Sequence, residues 1–167
     1  MIIYVTETTA LRGISMAEAE KVILTNMCMV YDGDRVLVQD RLDKNWKGLT
    51  FPGGHVEKHE SFTDAVIREV KEETGLTVFC PQLCGIKQWP QTEDTRYIVL
   101  FYKTDKFKGV LKSSEEGEVF WMKLEDFRKA DLARDMADML DIFLHDNKSE
   151  FYYYPDKIDG EWKYEIK

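Results

Sequence analysis

Hydrophobic residues are concentrated in short runs of strand length along most of the chain. Two of these runs, residues 22–31 and 35–41, flank the tripeptide Asp32-Gly33-Asp34, and apolar runs around an Asp-Gly turn predict a β-hairpin. Four later apolar runs predict further strands, over residues 76–80, 83–89, 96–103 and 116–124.

Two segments follow a helical period instead. Residues 61–74 predict an amphipathic helix, and Gly75 is well placed as its C-terminal cap. Residues 124–145 predict one or two more helices, because apolar residues recur there at helical spacing: Leu132, Met136, Met139, Leu140 and Phe143. The order of strands, helix, strands and helix predicts an α/β (α+β) sandwich with a mixed sheet.

The chain contains no internal repeat, low-complexity tract or obvious linker, so we predict a single domain over residues 1–167. We place its core at about residues 22–145 and interpret the weakly patterned residues 1–20 as an extension. The tail, residues 146–167, is rich in aromatic side chains. It covers a substrate cleft, contacts a partner subunit in a homodimer or, as the default expectation, packs against its own sheet.

Composition narrows the class of protein. The chain is 44% hydrophobic and 32% charged, which is typical of a globular domain. No apolar run approaches the roughly 20 residues of a membrane helix, so we expect no membrane partner. The 3 cysteines are too few for a disulfide framework, and the N-terminus has no export signal pattern, so we expect a cytoplasmic protein.

The formal net charge of −8 argues against binding to duplex nucleic acid, because contact with phosphates depends on Lys and Arg. It remains compatible with a small anionic substrate if cations bridge the two negative partners.

The helix over residues 61–74 contains a conflict. On a helical wheel its apolar face is formed by Phe62, Ala65, Val66 and Val70, while Asp64, Arg68 and Lys71 lie opposite. Glu69, Glu72 and Glu73 share one face, and Glu73 falls near the middle of the apolar arc. An ionised carboxylate there costs several kcal/mol unless it is paired or bound to a cation.

A hard divalent cation would resolve this conflict. Mg²⁺, or Mn²⁺ in its place, prefers carboxylate and carbonyl oxygens and retains waters that a substrate phosphate can replace. The alternative is a solvated acidic face with Arg68 as its partner, but the wheel places the solvent side elsewhere. We therefore predict a metal site on this helix.

The same residues resemble the Nudix box, G-x5-E-x7-R-E-U-x-E-E-x-G-U, where U is aliphatic. All fixed and aliphatic positions are filled, by Gly54, Glu60, Arg68, Glu69, Val70, Glu72, Glu73, Gly75 and Leu76. With the flanking hairpin, the Phe51-Pro52-Gly53-Gly54 segment and the later strands, the resemblance covers about residues 22–145. It implies the α/β/α sandwich of that family, with a mixed central sheet.

The resemblance also implies a reaction, the hydrolysis of a diphosphate linkage in a nucleotide with divalent metals. Glu72 and Glu73 would be metal ligands, and Glu69 a ligand or the general base. Arg68 would orient Glu69, and Glu60 would support the site electrostatically. The Gly53 carbonyl would add a ligand.

Members of that family often supply another carboxylate from a later loop. In residues 113–119 we favour Glu116 over Glu115 and Glu118, with an ordinary acidic turn as the equal alternative. His55 and His59 lack a zinc pattern, and we expect Cys80 and Cys84 to be buried thiols.

Three residues are candidates for substrate binding. Trp89 stacks on a base or packs in the core, Asn26 recognises a base edge or caps a strand, and Arg41 ends the second predicted strand.

The resemblance implies a small nucleotide substrate and leaves its identity open. A modified purine nucleoside triphosphate such as 8-oxo-dGTP is favoured, and ADP-ribose or another nucleoside diphosphate sugar is the alternative, supported by the position of Pro90. The absence of a basic strip disfavours the 5′ end of RNA. The complete set of box carboxylates disfavours a nucleotide sensor without activity.

Overall fold

A computed structural model describes residues 19–167, and all but the last two residues of the predicted N-terminal extension lie outside that range. The strands are β1 (Lys21–Asp32), β2 (Arg35–Arg41), β3 (Gly48–Thr50), β4 (Leu76–Val78), β5 (Gln82–Thr92), β6 (Thr95–Thr104), β7 (Phe107–Gly109), β8 (Gly117–Lys123), β9 (Glu150–Pro155) and β10 (Trp162–Ile166). The helices are α1 (Phe62–Thr74), α2 (Leu124–Phe127) and α3 (Met136–Leu144).

The central sheet has eight strands in the order β10-β9-β5-β6-β1-β2-β3, and β8 pairs with β2 beside this path. The sheet is mixed, as predicted, because β1 runs parallel to β6 and β5 parallel to β9, while the other pairs are antiparallel. The predicted hairpin is present, with Tyr31 opposite Val36. Strands β4 and β7 form a separate small sheet.

Both faces of the central sheet are covered. Alternate residues of β1 point to opposite faces, so Met27 and Met29 pack in a core cluster with α3, whereas Cys28 and Val30 pack in a second cluster with α1. A mixed sheet between two helical layers is the predicted α/β/α sandwich, which is confirmed.

The C-terminal tail extends the sheet. Strand β9 pairs in parallel with β5, β10 pairs with β9, and Phe151 is fully buried. The tail therefore packs against its own sheet, the default expectation, and the sheet reaches beyond the predicted core of residues 22–145.

Three local expectations were wrong. Phe62 is 45% exposed because it is the first residue of α1, where the side chain lies past the apolar contacts that Ala65, Val66 and Val70 make. Leu132 lies outside a helix and bridges to Leu49, since α2 and α3 are separated by residues 128–135. Cys80 is exposed at a positive φ of 47° after β4.

Cys84 is only partly buried, and its thiol donates to the Phe101 carbonyl. Within residues 19–167, no helix combines the length and the apolar character that a membrane span requires.

Candidate active site

Both ends of α1, the helix that carries the glutamates, are capped. The Ser61 hydroxyl accepts a hydrogen bond from the Asp64 amide at 3.0 Å, which caps the first turn. At the other end Gly75 adopts a left-handed conformation with φ 75°, and its amide donates to the Lys71 carbonyl. Between these ends Glu73 is buried beside Gly53, and Glu69 lies against Gly54.

The glycine pair before α1 brings the backbone against β1. The Asn26 and Cys28 amides donate to the Gly54 and Pro52 carbonyls, both at 2.8 Å. A Cβ atom on Gly53 would lie 2.7 Å from the Met27 Cα, so only glycine allows this approach.

The Gly53 amide points the other way, toward α1, and donates to Glu73 Oε2 at 2.8 Å. The Gly53 carbonyl accepts no hydrogen bond from residues 19–167 and is available as a ligand.

Glu73 is the buried carboxylate of the site. It is 3% exposed, and within residues 19–167 its Oε1 atom has no hydrogen-bond partner. Burial, together with the neighbouring carboxyl of Glu116, raises the pKa of Glu73 to about 8. The structure therefore brings together Glu73 and the favoured loop residue, Glu116, whose Oε2 lies 3.8 Å from Arg41 Nη2.

Arg68 uses all of its donors. Nε and Nη2 each donate at 2.8 Å to Glu60, and Nη1 donates to Glu69 at 2.9 Å and to Glu72 at 3.1 Å. The second proton of Nη2 goes to the His55 carbonyl at 2.9 Å. Arg68 therefore does not point to solvent, as the wheel predicted, but joins three of the glutamates of the box.

This network separates the pKa values of its carboxyls. The hydrogen bonds from Arg68 hold the pKa of Glu60 at about 2. Burial raises the pKa of Glu69, and the Arg68 guanidinium opposes that shift. Glu69 lies against Gly54, where a Cβ atom would be 2.5 Å from the carboxylate, so a larger residue at position 54 would displace the Glu69 carboxylate.

The donor set fits a hard divalent cation, because it consists of carboxylates beside a free backbone carbonyl, with one buried oxygen that lacks a partner. In residues 19–167 no three acidic, His or Cys side chains are drawn together closely enough to bind a metal as they stand. Glu72 is 60% exposed and is held by Arg68, so a metal site shared with Glu73 would require its side chain to rotate.

A cavity of about 470 Å³ is lined by Gly53 and Gly54, the two glycines that contact Glu73 and Glu69. All three predicted substrate-binding residues line it: Asn26, Arg41 and Trp89. Trp89 stacks on Tyr97, with ring centroids 4.3 Å apart. Pro90 does not line this cavity and lies instead with Tyr152 and Tyr154 on another surface.

Asn26 is buried, and neither its side-chain oxygen nor its nitrogen has a partner in the described part of the chain. It therefore does not cap a strand, the alternative role that the sequence left open.

Sequence analysis missed an ion pair in the cavity wall. Lys87 donates to Asp135 at 2.7 Å, and its ammonium group lies 4.8 Å from the centre of the Phe151 ring. Burial lowers the pKa of Lys87, and Asp135 opposes this shift. The polar Lys87 within the apolar run 83–89 was the available signal, but Asp135 carried none.

Comparison with known proteins agrees with this geometry. Residues 23–143 match the NUDIX domain model. The chain is 29% identical over 122 residues to the uncharacterized Nudix hydrolase YvcI of Bacillus subtilis. The aligned segment covers 70% of this chain and 76% of that protein. It is 31% identical over 87 residues to the ADP-ribose pyrophosphatase of Methanocaldococcus jannaschii, and this alignment covers 51% of the chain and 52% of that protein.

Among solved structures, the MutT protein from Bacillus halodurans superposes with a TM-score of 0.71 at 27% identity, covering 86% of this chain and 97% of that one. The chain belongs to the Nudix family. It is a Nudix hydrolase that acts on diphosphate linkages in nucleotides, and enzymes of this family generally use divalent metal ions.

Proposed function

We propose that this enzyme hydrolyses a modified purine nucleoside triphosphate such as 8-oxo-dGTP. Water attacks at the diphosphate linkage between the α and β phosphates, and the products are the nucleoside monophosphate and pyrophosphate. Mg²⁺ is the proposed cofactor, with Mn²⁺ as a substitute. The observation that carries this proposal is the unpaired Asn26 carboxamide in a cavity that adjoins the acidic cluster.

The cavity is suited to a purine. Trp89 and Tyr97 provide a stacked aromatic wall, and stacking on aromatic rings accommodates any base. Asn26 adds a neighbouring donor and acceptor, both free of protein partners in the described residues. Because buried polar groups are nearly always hydrogen-bonded, this carboxamide is poised for a polar ligand.

The edge of the base decides which purine fits. Guanine presents two acceptors, O6 and N7, whereas adenine presents the N7 acceptor beside the N6 donor. Oxidation of guanine at C8 turns N7 into an N–H donor beside O6. At this N7 edge a carboxamide therefore matches 8-oxoguanine and adenine but leaves one mismatched atom against guanine.

The phosphates would extend from the cavity toward α1. Gly53 and Gly54 line the cavity and also contact Glu73 and Glu69, so one ligand can reach both regions. Arg41 lies at the same junction, and its buried Nε has no partner in residues 19–167. Its guanidinium is a suitable donor to a phosphate oxygen.

Glu72, Glu73, Glu116 and the Gly53 carbonyl would hold the metal ions, which supply charge neutralisation for the phosphates and lower the pKa of bound water. Glu69 then receives the proton of the attacking water, or adds a ligand oxygen. Its raised pKa and its fixed orientation beside Arg68 favour the role of base.

ADP-ribose is the second candidate. Its adenine edge also matches Asn26, and the curated relative of Methanocaldococcus jannaschii is named an ADP-ribose pyrophosphatase. Pro90, the residue whose position along the chain suggested this substrate, does not line the cavity.

A panel of nucleotides with Mg²⁺, with products identified by mass, tests the proposal. We expect kcat/KM to be highest for 8-oxo-dGTP, with monophosphate and pyrophosphate as products, and turnover to stop when excess chelator is added. A far higher kcat/KM for ADP-ribose would assign the second candidate. Full activity in excess chelator would refute the metal role.

A further inference from the structure

Gln39 is a fully buried polar residue that has no role in the proposed active site. It is 0% exposed, and neither its side-chain oxygen nor its nitrogen has a hydrogen-bond partner in residues 19–167. Each such group in a native structure calls for an explanation, because buried polar atoms are nearly always paired with protein or with ordered water.

Its position in β2 places it beside the acidic cluster. Leu37, Gln39 and Arg41 point to the same face of the strand, since side chains alternate. Leu37 packs in the α1 cluster, and Arg41 approaches Glu116. Gln39 therefore lies between the apolar contacts of α1 and its carboxylates, beside Gly117, where a Cβ atom would be 3.3 Å from the Gln39 Cγ.

Two further buried atoms on this face also lack a hydrogen-bond partner in the described residues. They are Arg41 Nε and Glu73 Oε1. Arg41 Nε can only donate, an ionised Glu73 oxygen can only accept, and the Gln39 carboxamide can do both. Water both donates and accepts, and a buried water usually has two to four polar partners. A cation would satisfy the oxygens alone.

We infer that Gln39 is a positioning residue that, through buried water, holds the Glu73 carboxylate and the Arg41 side chain in the orientation in which the divalent metal binds. This inference rests on the proposed metal role of Glu73. Partners behind the ligands of a metal site commonly govern metal affinity in this way. Gln39 itself contacts neither metal nor substrate.

The test is Gln39→Met in the full chain, with Mn²⁺ as the probe and no nucleotide. We expect the Kd for Mn²⁺, measured by electron paramagnetic resonance, to rise about tenfold or more. The Tm of the metal-free variant, measured in parallel, separates a loss of folding stability from a loss of metal affinity. A residue with a merely structural role would instead lower Tm and leave metal affinity unchanged.

Gln88→Met is the matched control. Gln88 is a glutamine of β5 that is hydrogen-bonded to Glu150 at 2.9 Å and to Arg96, and it does not line the cavity. The same substitution there should lower Tm and leave the Kd for Mn²⁺ unchanged.

A Kd within twofold of wild type in Gln39→Met would overturn the inference and leave the proposed function standing. Wild-type protein that binds no Mn²⁺ would overturn both. A high-resolution crystal structure of the wild type gives a second measurement that does not depend on the variant. We expect an ordered water bonded to Gln39 and to Glu73 or Arg41, and a dry site would overturn the inference.

Discussion

Arg68 donates to both carboxylate oxygens of Glu60, through Nε and Nη2, at 2.8 Å each. The paired geometry fixes the guanidinium plane, so that Nη1 is left to hold Glu69 and Glu72. We therefore expect the arginine of the box to be an orienting group, and its own position depends on a glutamate eight residues earlier.

Replacement of Arg68 by Lys should therefore lower kcat about 10- to 100-fold with little change in KM. A lysine cannot hydrogen-bond to three carboxylates at once, so Glu69 would lose its orientation. Because that orientation acts on the transition state, the loss appears in kcat. Steady-state kinetics on Arg68→Lys, Glu69→Gln and the double variant check this, and the double variant should be far from additive. A mainly raised KM with kcat retained would show that Arg68 contacts substrate phosphate.

The low pKa of Glu60 predicts a stability contribution that depends on pH. Its pKa is about 2 in the folded protein and near its ordinary 4.5 when unfolded. The contribution is therefore complete above pH 4.5 and is lost as the pH falls toward 2. Denaturant unfolding at pH 5 and pH 3 should show a smaller loss of stability in Glu60→Gln than in wild type. Equal losses would mean that Arg68 does not stabilise the ionised form.

In the absence of metal, Glu73 should change the pH dependence of stability in the direction opposite to Glu60. Its pKa is raised to about 8, so the folded state binds more protons than the unfolded state between pH 4.5 and 8, and stability falls as pH rises through that window. In Glu73→Gln this fall should be absent, because an amide does not titrate and can still accept the hydrogen bond from Gly53.

At pH 8 we expect the metal-free variant to melt about 3 °C or more above wild type, since ~1 kcal/mol shifts Tm by roughly 2–4 °C at this size. Calorimetry in chelator measures this. Glu72→Gln is the control and should leave the metal-free Tm unchanged, because Glu72 is largely exposed. A lower Tm for Glu73→Gln would show that the ionised carboxylate has a structural partner.

Glu116 and its neighbour Glu115 make a matched pair. Glu116→Gln should weaken Mn²⁺ binding about tenfold or more, whereas Glu115→Gln should not, because only Glu116 lies against Glu73. The rise of Tm with added Mn²⁺, which follows mass action, gives the affinity in each variant. Equal affinities would assign residues 113–119 to an ordinary acidic turn.

Asn26→Leu should lower kcat/KM for 8-oxo-dGTP about tenfold or more, because a good bidentate contact to a base is worth ~1–3 kcal/mol. The value for dGTP should change less. The metal-free Tm should not fall, because both polar atoms of Asn26 already lack protein partners in the described chain. An equal loss on the two nucleotides would exclude recognition of the modified edge.

The glutamates of α1 could be predicted from the sequence because their relationship is local. The turn of a helix fixes which of residues 69, 72 and 73 share a face, and the flanking apolar residues show which side is buried, so the burial of Glu73 was correctly predicted. Gly53 was likewise recognisable, since its close approach to the backbone of β1 admits no side chain.

Other contacts depended on how the chain closes. Glu116 reaches Glu73 across 43 residues, and its neighbours Glu115 and Glu118 have the same chemistry, so spacing alone could not choose among them. Lys87 and Asp135 meet only because β5 and α3 pack side by side.

The sequence by itself determined the family, the mixed sandwich and the acidic face of α1, since these follow from local periodicity and a contiguous motif. Tertiary structure alone decided the cavity, where Asn26 of β1, Trp89 of β5 and Tyr153 of β9 converge from distant parts of the chain. The period of a strand shows that its side chains alternate, but the pairing of strands decides which face meets a ligand and which meets the core.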